Sequence, residues 1–315
     1  MPVIEQVRGP CVESVHPWSA VALAHGQIVR QWGEPVATTW RSAAKPVQLD
    51  VSLSVLADPP VPEPWLALGA ASHSGEVVHT DMAAAILQHF HLQPSDLRCG
   101  AHPPVYTPRA EAILRQNGQF TDLHNNCSGK HSFMVAAAQH AGWPLDYRPE
   151  THPLQQRIRE RVTELCQHTP ELAVDGCGVP TFSLPLAAIA RAWSEIAAAM
   201  HAGTSRLGRI GLAMAAHPEL TSGTDRLDLA VVQRARLPLT VKVGAGGVFC
   251  MALPDVQVGV AIKIHSGVAE ALPVAIDAVL TALWPAGWPA EAAWSQLEVR
   301  NVVGRLVGGW QARAV

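Results

Sequence analysis

The chain has 315 residues, of which 48% are hydrophobic and 16% charged, with 25 prolines and 24 glycines. This balance excludes an intrinsically disordered protein, because disorder requires low hydrophobicity and high charge. The formal net charge is −3 and there is no long basic run, so we expect neither nucleic acid nor an anionic membrane as a partner.

The first five residues, Met1-Pro2-Val3-Ile4-Glu5, lack the basic segment and the apolar stretch of a signal peptide. No run approaches the ~18 consecutive apolar residues of a membrane span. We therefore expect a soluble cytoplasmic protein. In that compartment the six cysteines are expected to be free thiols or metal ligands rather than disulfide partners.

The opening third of the chain predicts a β-hairpin and then a helix. Val21–Ala24 and Gln27–Trp32 have the alternating pattern of two strands, with a turn at His25-Gly26 between them. A helix is predicted to begin near Ser42, because Pro46 is tolerated only in a first helical turn. This helix runs towards Leu56.

The middle of the chain is predicted to be mostly helical. The apolar run Trp65–Ala71 resembles a short strand, and polar side chains follow it. Helical spacing then predicts five helices, at His79–Phe90, Gly129–Ala141, Pro153–Gln167, Leu184–Met200 and Arg226–Arg236.

The hydrophobic period changes after the helical middle. Strands are predicted at Leu239–Val243, Gly247–Leu253 and Gln257–Ile264, with Pro254-Asp255 as the turn between the last two. A helix at Val268–Leu283 and a tail ending in Arg305–Val315 complete the chain. Strands at both ends around a helical middle predict one α+β unit, in which the N- and C-terminal strands form a single sheet.

Ser42 and Lys45 are the first candidates for catalysis. Positions i and i+3 on a helix face the same way, so the hydroxyl and the amine can meet. Free N–H groups at a helix N-terminus would also stabilise an oxyanion beside Ser42. Lysine is a base only when neutral, which requires burial or nearby positive charge. The alternative is a helix-capping serine followed by a solvated lysine.

Two further segments carry groups of the same chemistry. Lys242-Val243-Gly244 resembles the K-T-G strand motif of penicillin-recognising serine enzymes, in which a glycine lets the substrate backbone approach. Its alternative is a lysine at a strand end beside a bulge. Ser72-His73-Ser74 follows the apolar run but is not a G-x-S-x-G elbow, and its alternative is an ordinary polar turn.

Cys127 and Cys177 lie some fifty residues apart, each beside glycine and polar residues. The two thiols provide half of a soft-metal site, which Lys130 or His131 would complete. A cysteine nucleophile, Cys127 activated by His131, is the rival chemistry. Both thiols could also be buried as small apolar groups.

Taken together and in this order, five motifs resemble the zinc-containing L-asparaginase II family. They are Arg41-Ser42-Ala43-Ala44-Lys45-Pro46, Ala71-Ser72-His73-Ser74, Leu97-Arg98-Cys99-Gly100, Asn126-Cys127-Ser128-Gly129-Lys130-His131 and Asp175-Gly176-Cys177. The resemblance extends from about residue 10 to residue 270. It implies an α+β fold similar to serine β-lactamases and penicillin-binding proteins, with a central, mainly antiparallel sheet flanked by helices. It further implies one domain over residues 1–315, with a helical subregion at about 125–236.

The resemblance also implies the site. Ser42–Lys45 and Ser72–Lys242 would be the two catalytic Ser-Lys pairs. Zn²⁺ would be bound by Cys127, Lys130 and Cys177. The residues expected to bind substrate are Arg41, His73, His131, Asp175 and Gly244. Of these, Asp175 and His131 would also orient the zinc ligands. Asp228 stands where some relatives carry cysteine.

The implied reaction is hydrolysis of L-asparagine to L-aspartate and ammonia by a homodimer. Ser42 would attack the side-chain amide, Lys45 would accept its proton, and Ser72 with Lys242 would pass that proton to the departing ammonia. Lys242 could instead only attract the substrate carboxylate. Three alternatives remain: a serine hydrolase of another amide such as a β-lactam or a peptide, a Cys127 thiol hydrolase, and a non-catalytic ligand-binding member of the family.

Overall fold

Strands from both ends of the chain build the main sheet of this computed structural model, which describes residues 1–292, 294 and 297–313. The strands in the described residues are β1 Val3–Arg8, β2 Cys11–Ala24, β3 Gln27–Trp32, β4 Ala37–Thr39, β5 Glu171–Val174, β6 Pro180–Pro185, β7 Thr240–Gly244, β8 Val248–Leu253, β9 Val258–Ile264, β10 Leu297–Arg300 and β11 Leu306–Arg313.

The main sheet has the strand order β10-β11-β1-β2-β9-β8-β7, and β3 also pairs with β2. All of its pairings are antiparallel, including β1 with β11 and β2 with β9. The prediction that the two ends of the chain share one mainly antiparallel sheet is therefore confirmed. A second, three-stranded sheet has the order β4-β6-β5.

The helices in the described residues are α1 Lys45–Val55, α2 Glu63–Gly69, α3 Val77–His89, α4 Thr107–Arg115, α5 Ser128–His140, α6 Pro153–Cys166, α7 Leu186–Ala202, α8 Arg206–Ala216, α9 Pro218–Thr221, α10 Leu227–Arg234 and α11 Leu272–Leu283. None of them combines the length and the apolar character that a membrane crossing requires.

Side-chain alternation in the main sheet separates two hydrophobic cores. Along β2, Val21 and Leu23 belong to the core that the sheet shares with α1, α5, α6 and α7. Ala20 and Ala22 point to the opposite core, which α11 covers. Because successive strand residues face opposite sides, one strand contributes to both cores. The sheet is thus a middle layer between a large helical layer and a small one.

Most of the expected elements are confirmed. The hairpin of β2 and β3, the strands β7 to β9 and the turn at Pro254-Asp255 lie where the pattern predicts them. Pro46 lies in the first turn of α1, as expected. The predicted tail is largely strand β11, whereas Ala314 and Val315 lie outside the described residues.

Two expectations about the middle of the chain are wrong. Trp65–Ala71 lies mostly in α2, which Pro62 and Pro64 introduce, because a short buried apolar run fits a helix as well as a strand. The helical middle is interrupted by β5 and β6, and Leu184 lies in β6, so α7 begins at Leu186. The pairing of β6 with β4 outweighed the helical spacing of its last residues.

Candidate active site

The Ser42 hydroxyl lies in a 3-10 turn, Arg41–Ala44, that leads directly into α1. Arg41 adopts the left-handed conformation with φ +52°, which is uncommon for a residue other than glycine. Its N–H donates to Thr181 Oγ1 at 3.1 Å, and its Nε donates to Asp175 Oδ1 at 2.7 Å. These contacts hold the backbone before Ser42 in a strained conformation.

Ser42 is partly exposed, and its hydroxyl has no hydrogen-bond partner within the described residues. Lys45 follows it at i+3, but the Lys45 amine is directed elsewhere. Lys45 Nζ lies 2.9 Å from Ser72 Oγ and donates to the Ala71 carbonyl at 2.5 Å. The structure therefore joins Lys45 to Ser72, whereas the motif predicted a contact with Ser42.

The surroundings of Lys45 favour its neutral form. Burial lowers the pKa of Lys45, and the charge of Lys130 lowers it further, while the Cys127 thiolate opposes this shift. A neutral amine has two N–H donors and one lone pair. It can donate to Ala71 and accept the Ser72 hydroxyl proton at the same time.

Lys242, the second predicted catalytic lysine, lies in the middle of β7 and contacts Asp228 rather than Ser72. Its Nζ is 3.4 Å from Asp228 Oδ2 and donates to the Val243 carbonyl at 3.0 Å. Burial lowers the pKa of Lys242 to about 8, although the Asp228 carboxylate opposes the shift. Lys242 therefore carries a charge through most of the neutral range.

Gly244, the last residue of β7, is placed where the strand passes the Ser42 turn. A Cβ atom on Gly244 would lie 2.9 Å from the Trp40 carbonyl oxygen and 3.1 Å from Val248 Cβ. Only glycine therefore allows this approach without displacing the backbone that precedes Arg41.

The two predicted thiols lie together with Lys130. Lys130 Nζ donates to Cys177 Sγ at 3.2 Å, and Cys127 Sγ lies 2.9 Å from Asn126 Oδ1. Interaction with the Cys177 side chain, together with the positive charge of Lys130, lowers the pKa of Cys127 and overcomes its burial. Interaction with Cys127 and burial raise the pKa of Cys177. The two thiols therefore share one negative charge.

Lys130 is charged in the absence of a metal. Burial alone would lower its pKa, but the sulfurs of Cys177 and Cys127 and the Asp175 carboxylate outweigh burial and raise it. Two thiols and one amine nevertheless form a donor set that suits a soft divalent ion, provided that the metal displaces the lysine proton. No group of three or more His, Cys, Asp or Glu side chains is arranged to hold a metal anywhere in the described residues, so this donor set depends on Lys130.

The start of α5 positions this group. A Cβ atom on Gly129, between Cys127 and Lys130, would lie 2.3 Å from the Leu68 carbonyl oxygen. Glycine therefore lets α5 contact the backbone of α2. This packing fixes the positions of Cys127 and Lys130, the two potential metal ligands at the start of α5.

The predicted histidines are both buried and neutral. Burial lowers the pKa of His73 and of His131 well below the usual range. His73 Nδ1 accepts the Gly75 N–H at 3.2 Å, so its Nε2 donates to Ser128 Oγ at 2.9 Å. His131 Nδ1 lies 2.8 Å from the Tyr147 hydroxyl, and its Nε2 has no partner within the described residues.

Asp175 connects the two halves of the site. Its carboxylate accepts Arg41 Nε and the Gly176 N–H at 2.8 Å, and its charge acts on Lys130. Burial would raise the pKa of Asp175, but Lys130, the Gly176 N–H and Arg41 together lower it. Asp175 therefore remains ionised between the turn of Ser42 and the thiol group.

Sequence reasoning named Asp228 only as a departure from some relatives and did not predict its contact with Lys242. For the lysines, the amino-acid composition contained a further indication. Only four of the 23 basic residues are lysine. Three of these, Lys45, Lys130 and Lys242, have exposed fractions of 1%, 2% and 0%. A chain that uses arginine at its surface has therefore placed most of its lysines in this site.

Comparisons with known proteins agree with the motifs. The model of the L-asparaginase II family matches residues 4–312. No sequence among the curated proteins matches the chain.

The chain also aligns with two solved structures. A β-lactamase from Mycobacterium bovis is 12% identical, with a TM-score of 0.44 over 84% of this chain and 94% of that one. A β-lactamase candidate from Bacteroides dorei is 9% identical, with a TM-score of 0.42 over the same shares. The family resemblance of the motifs is confirmed by the family match, which spans nearly the whole described chain, and this protein belongs to the L-asparaginase II family.

Proposed function

We propose that this protein is an L-asparaginase that hydrolyses L-asparagine to L-aspartate and ammonia through an acyl-enzyme. The observation that carries the proposal is the buried contact of Lys45 Nζ with Ser72 Oγ at 2.9 Å. Ser42 precedes Lys45 by three residues, and its hydroxyl has no hydrogen-bond partner in the part of the chain that the structure describes. Family membership supplies the substrate.

In the acylation step, Ser42 Oγ attacks the side-chain amide carbon of asparagine. Its proton passes to neutral Lys45, which becomes an ammonium. Lys45 then donates a proton to Ser72 Oγ as Ser72 gives its own proton to the departing nitrogen. The carbon–nitrogen bond breaks, ammonia leaves, and an ester joins Ser42 to the aspartyl group. Lys45 is neutral again at the end of this step.

In the deacylation step, water attacks the ester carbon and gives its proton to Lys45. The same relay returns that proton to Ser42 Oγ as the ester bond breaks, which releases aspartate. The partial exposure of Ser42 supports its role as nucleophile, because Ser72 is buried.

Lys242 is proposed to bind substrate rather than to carry protons. A carboxylate at 3.4 Å favours its charged form, and a charged lysine attracts the α-carboxylate of the substrate. This chooses the second of the two roles that the sequence left open for Lys242.

A zinc ion would be held by Cys127, Lys130 and Cys177. The two thiols provide soft ligands, and their shared negative charge fits a cation. When bound, zinc would act as a Lewis acid that polarises the substrate or anchors its α-amino and carboxylate end. Asp175 and Arg41 would orient this end of the site.

The test is an assay of ammonia release with asparagine and glutamine side by side, together with a chromogenic β-lactam. We expect asparagine to be hydrolysed and the β-lactam to remain intact. Hydrolysis of the β-lactam without ammonia release from asparagine would assign the protein to another class of serine hydrolase. Stabilisation by asparagine without any product would make it a binding protein.

A further inference from the structure

Asp228 contacts two neighbouring residues of β7, the side chain of Lys242 and the backbone N–H of Val243. The residue is in the first turn of α10 and is 1% exposed. Its carboxylate accepts the Val243 N–H, at 3.1 Å through Oδ1 and 3.3 Å through Oδ2, and lies 3.4 Å from Lys242 Nζ. One side chain therefore contacts both the backbone and the catalytic-site lysine of β7.

The backbone contact has a clear structural reason. In the described sheet β7 is the last strand and pairs only with β8. The N–H of half-buried Val243, on the outer edge of this strand, needs another acceptor, and Asp228 provides it. One residue later, Gly244 passes the Trp40 carbonyl beside the Ser42 turn. The carboxylate therefore fixes the strand where it approaches the nucleophile.

The side-chain contact decides the charge of Lys242. Lys45 from α1 and Arg226 from the segment before α10 face Lys242, and a positive charge on either of them disfavours protonation of Lys242. Burial acts in the same direction. The opposing contribution comes from Asp228, through its charge and its hydrogen bond.

We propose that Asp228 is a positioning residue that keeps Lys242 as an ammonium and holds the end of β7 against the turn of Ser42. The substrate contact of Lys242 rests on the proposed function. The charge and the position of Lys242 do not depend on that function, so they can be tested separately from it.

The first test measures the charge directly. With only four lysines, protein labelled with ¹³C at the lysine ε-carbon gives few signals, and Lys242→Arg assigns the one of interest. We expect Lys242 to titrate near pH 8 in the wild type. In Asp228→Asn the amide keeps an acceptor for Val243 but loses the charge, so the titration moves down by about one to three pH units. An unchanged titration overturns the proposal.

Asp225→Asn is the matched control, because Asp225 is exposed and lies three residues away. Its φ of +59° is one that asparagine adopts readily. We expect this variant to leave both the titration of Lys242 and the activity unchanged. A shift as large as that in Asp228→Asn would show a nonspecific charge effect and overturn the proposal.

The second test follows kcat/KM for asparagine against pH. Loss of the Lys242 proton should lower kcat/KM above about pH 8 in the wild type. This fall should begin at lower pH in Asp228→Asn. It should be absent in the Asp228→Asn, Lys242→Arg double variant, because guanidinium stays charged. If the wild type releases no ammonia, the proposed function is wrong and the lysine titration still decides the role of Asp228.

A third measurement applies even if Asp228→Asn folds poorly. Lys242→Met leaves the Asp228 carboxylate buried without a cation, so its melting temperature should fall below that of Lys242→Arg. Adding Asp228→Asn to Lys242→Met should restore part of the loss. Failure of the double variant to recover any stability would show that the two side chains are not coupled, and would overturn the proposal.

Discussion

Replacing each active-site serine by alanine separates the two roles, because the two hydroxyls have different surroundings. Ser42→Ala removes a hydroxyl without a hydrogen-bond partner in the described residues, so the free energy of unfolding should change by less than about 0.5 kcal/mol. Ser72→Ala removes the contact at 2.9 Å with Lys45. Removing one partner of a buried hydrogen bond costs about 1–3 kcal/mol, and we expect a loss of that size.

Activity should follow the opposite order. Loss of a nucleophile lowers kcat by about 10⁶-fold in a serine hydrolase, so Ser42→Ala should show no turnover above background. Loss of a proton-relay group lowers the rate by about 10²–10⁴-fold, so Ser72→Ala should retain measurable ammonia release. Ser54→Ala, at an exposed position of the same helix as Lys45, should change neither quantity and serves as the control.

The measurements are ammonia release from asparagine and urea unfolding of each variant. Ser42→Ala with more than a tenth of the wild-type kcat/KM would refute Ser42 as the nucleophile. A stable, fully inactive Ser72→Ala beside an active Ser42→Ala would exchange the two roles. Equal stability losses in both variants would refute the reasoning from hydrogen bonds.

Three further predictions concern single positions. Lys45→Arg should be inactive at every pH in the ammonia assay, since guanidinium does not deprotonate; turnover with an unchanged pH profile would place the base elsewhere. Purified protein should contain about one zinc per chain by metal analysis. Cys177→Ala should lower that zinc content, whereas Cys166→Ala, at a buried thiol outside the site, should not. Wild-type protein that contains no zinc after zinc-supplemented expression would contradict the site. Gly244→Ala should lower kcat/KM by about tenfold or more because the new Cβ would be 2.9 Å from the Trp40 carbonyl, and wild-type kinetics would contradict that requirement.

Local patterns in the sequence predicted much of the fold because they act over a few residues. Alternation identified the hairpin of β2 and β3 and the strands β7 to β9. Pro46 fixed where α1 begins, since its ring is tolerated only in the first turn. The short run Trp65–Ala71 was misjudged because helix and strand bury such a run equally well, and only its packing in α2 decided between them.

The candidate site shows the same division. Motif order brought together the residue types of a Ser-Lys hydrolase with a thiol group, and the structure places Cys127, Lys130 and Cys177 side by side. The spacing of residues along the sequence did not predict which side chain each lysine contacts. Lys45 is only three residues from Ser42, yet its amine reaches Ser72 from another segment of the chain.

By itself, then, the sequence determined the family, the positions of several main strands along the chain and the types of group in the site, because these depend on local periodicity and on short motifs. Only the tertiary structure decided the pairing of Lys45 with Ser72 and of Lys242 with Asp228. A buried charge must find its partner among whatever side chains the packing brings within a few ångströms. Those neighbours come from segments far apart in the chain, so no local pattern records them.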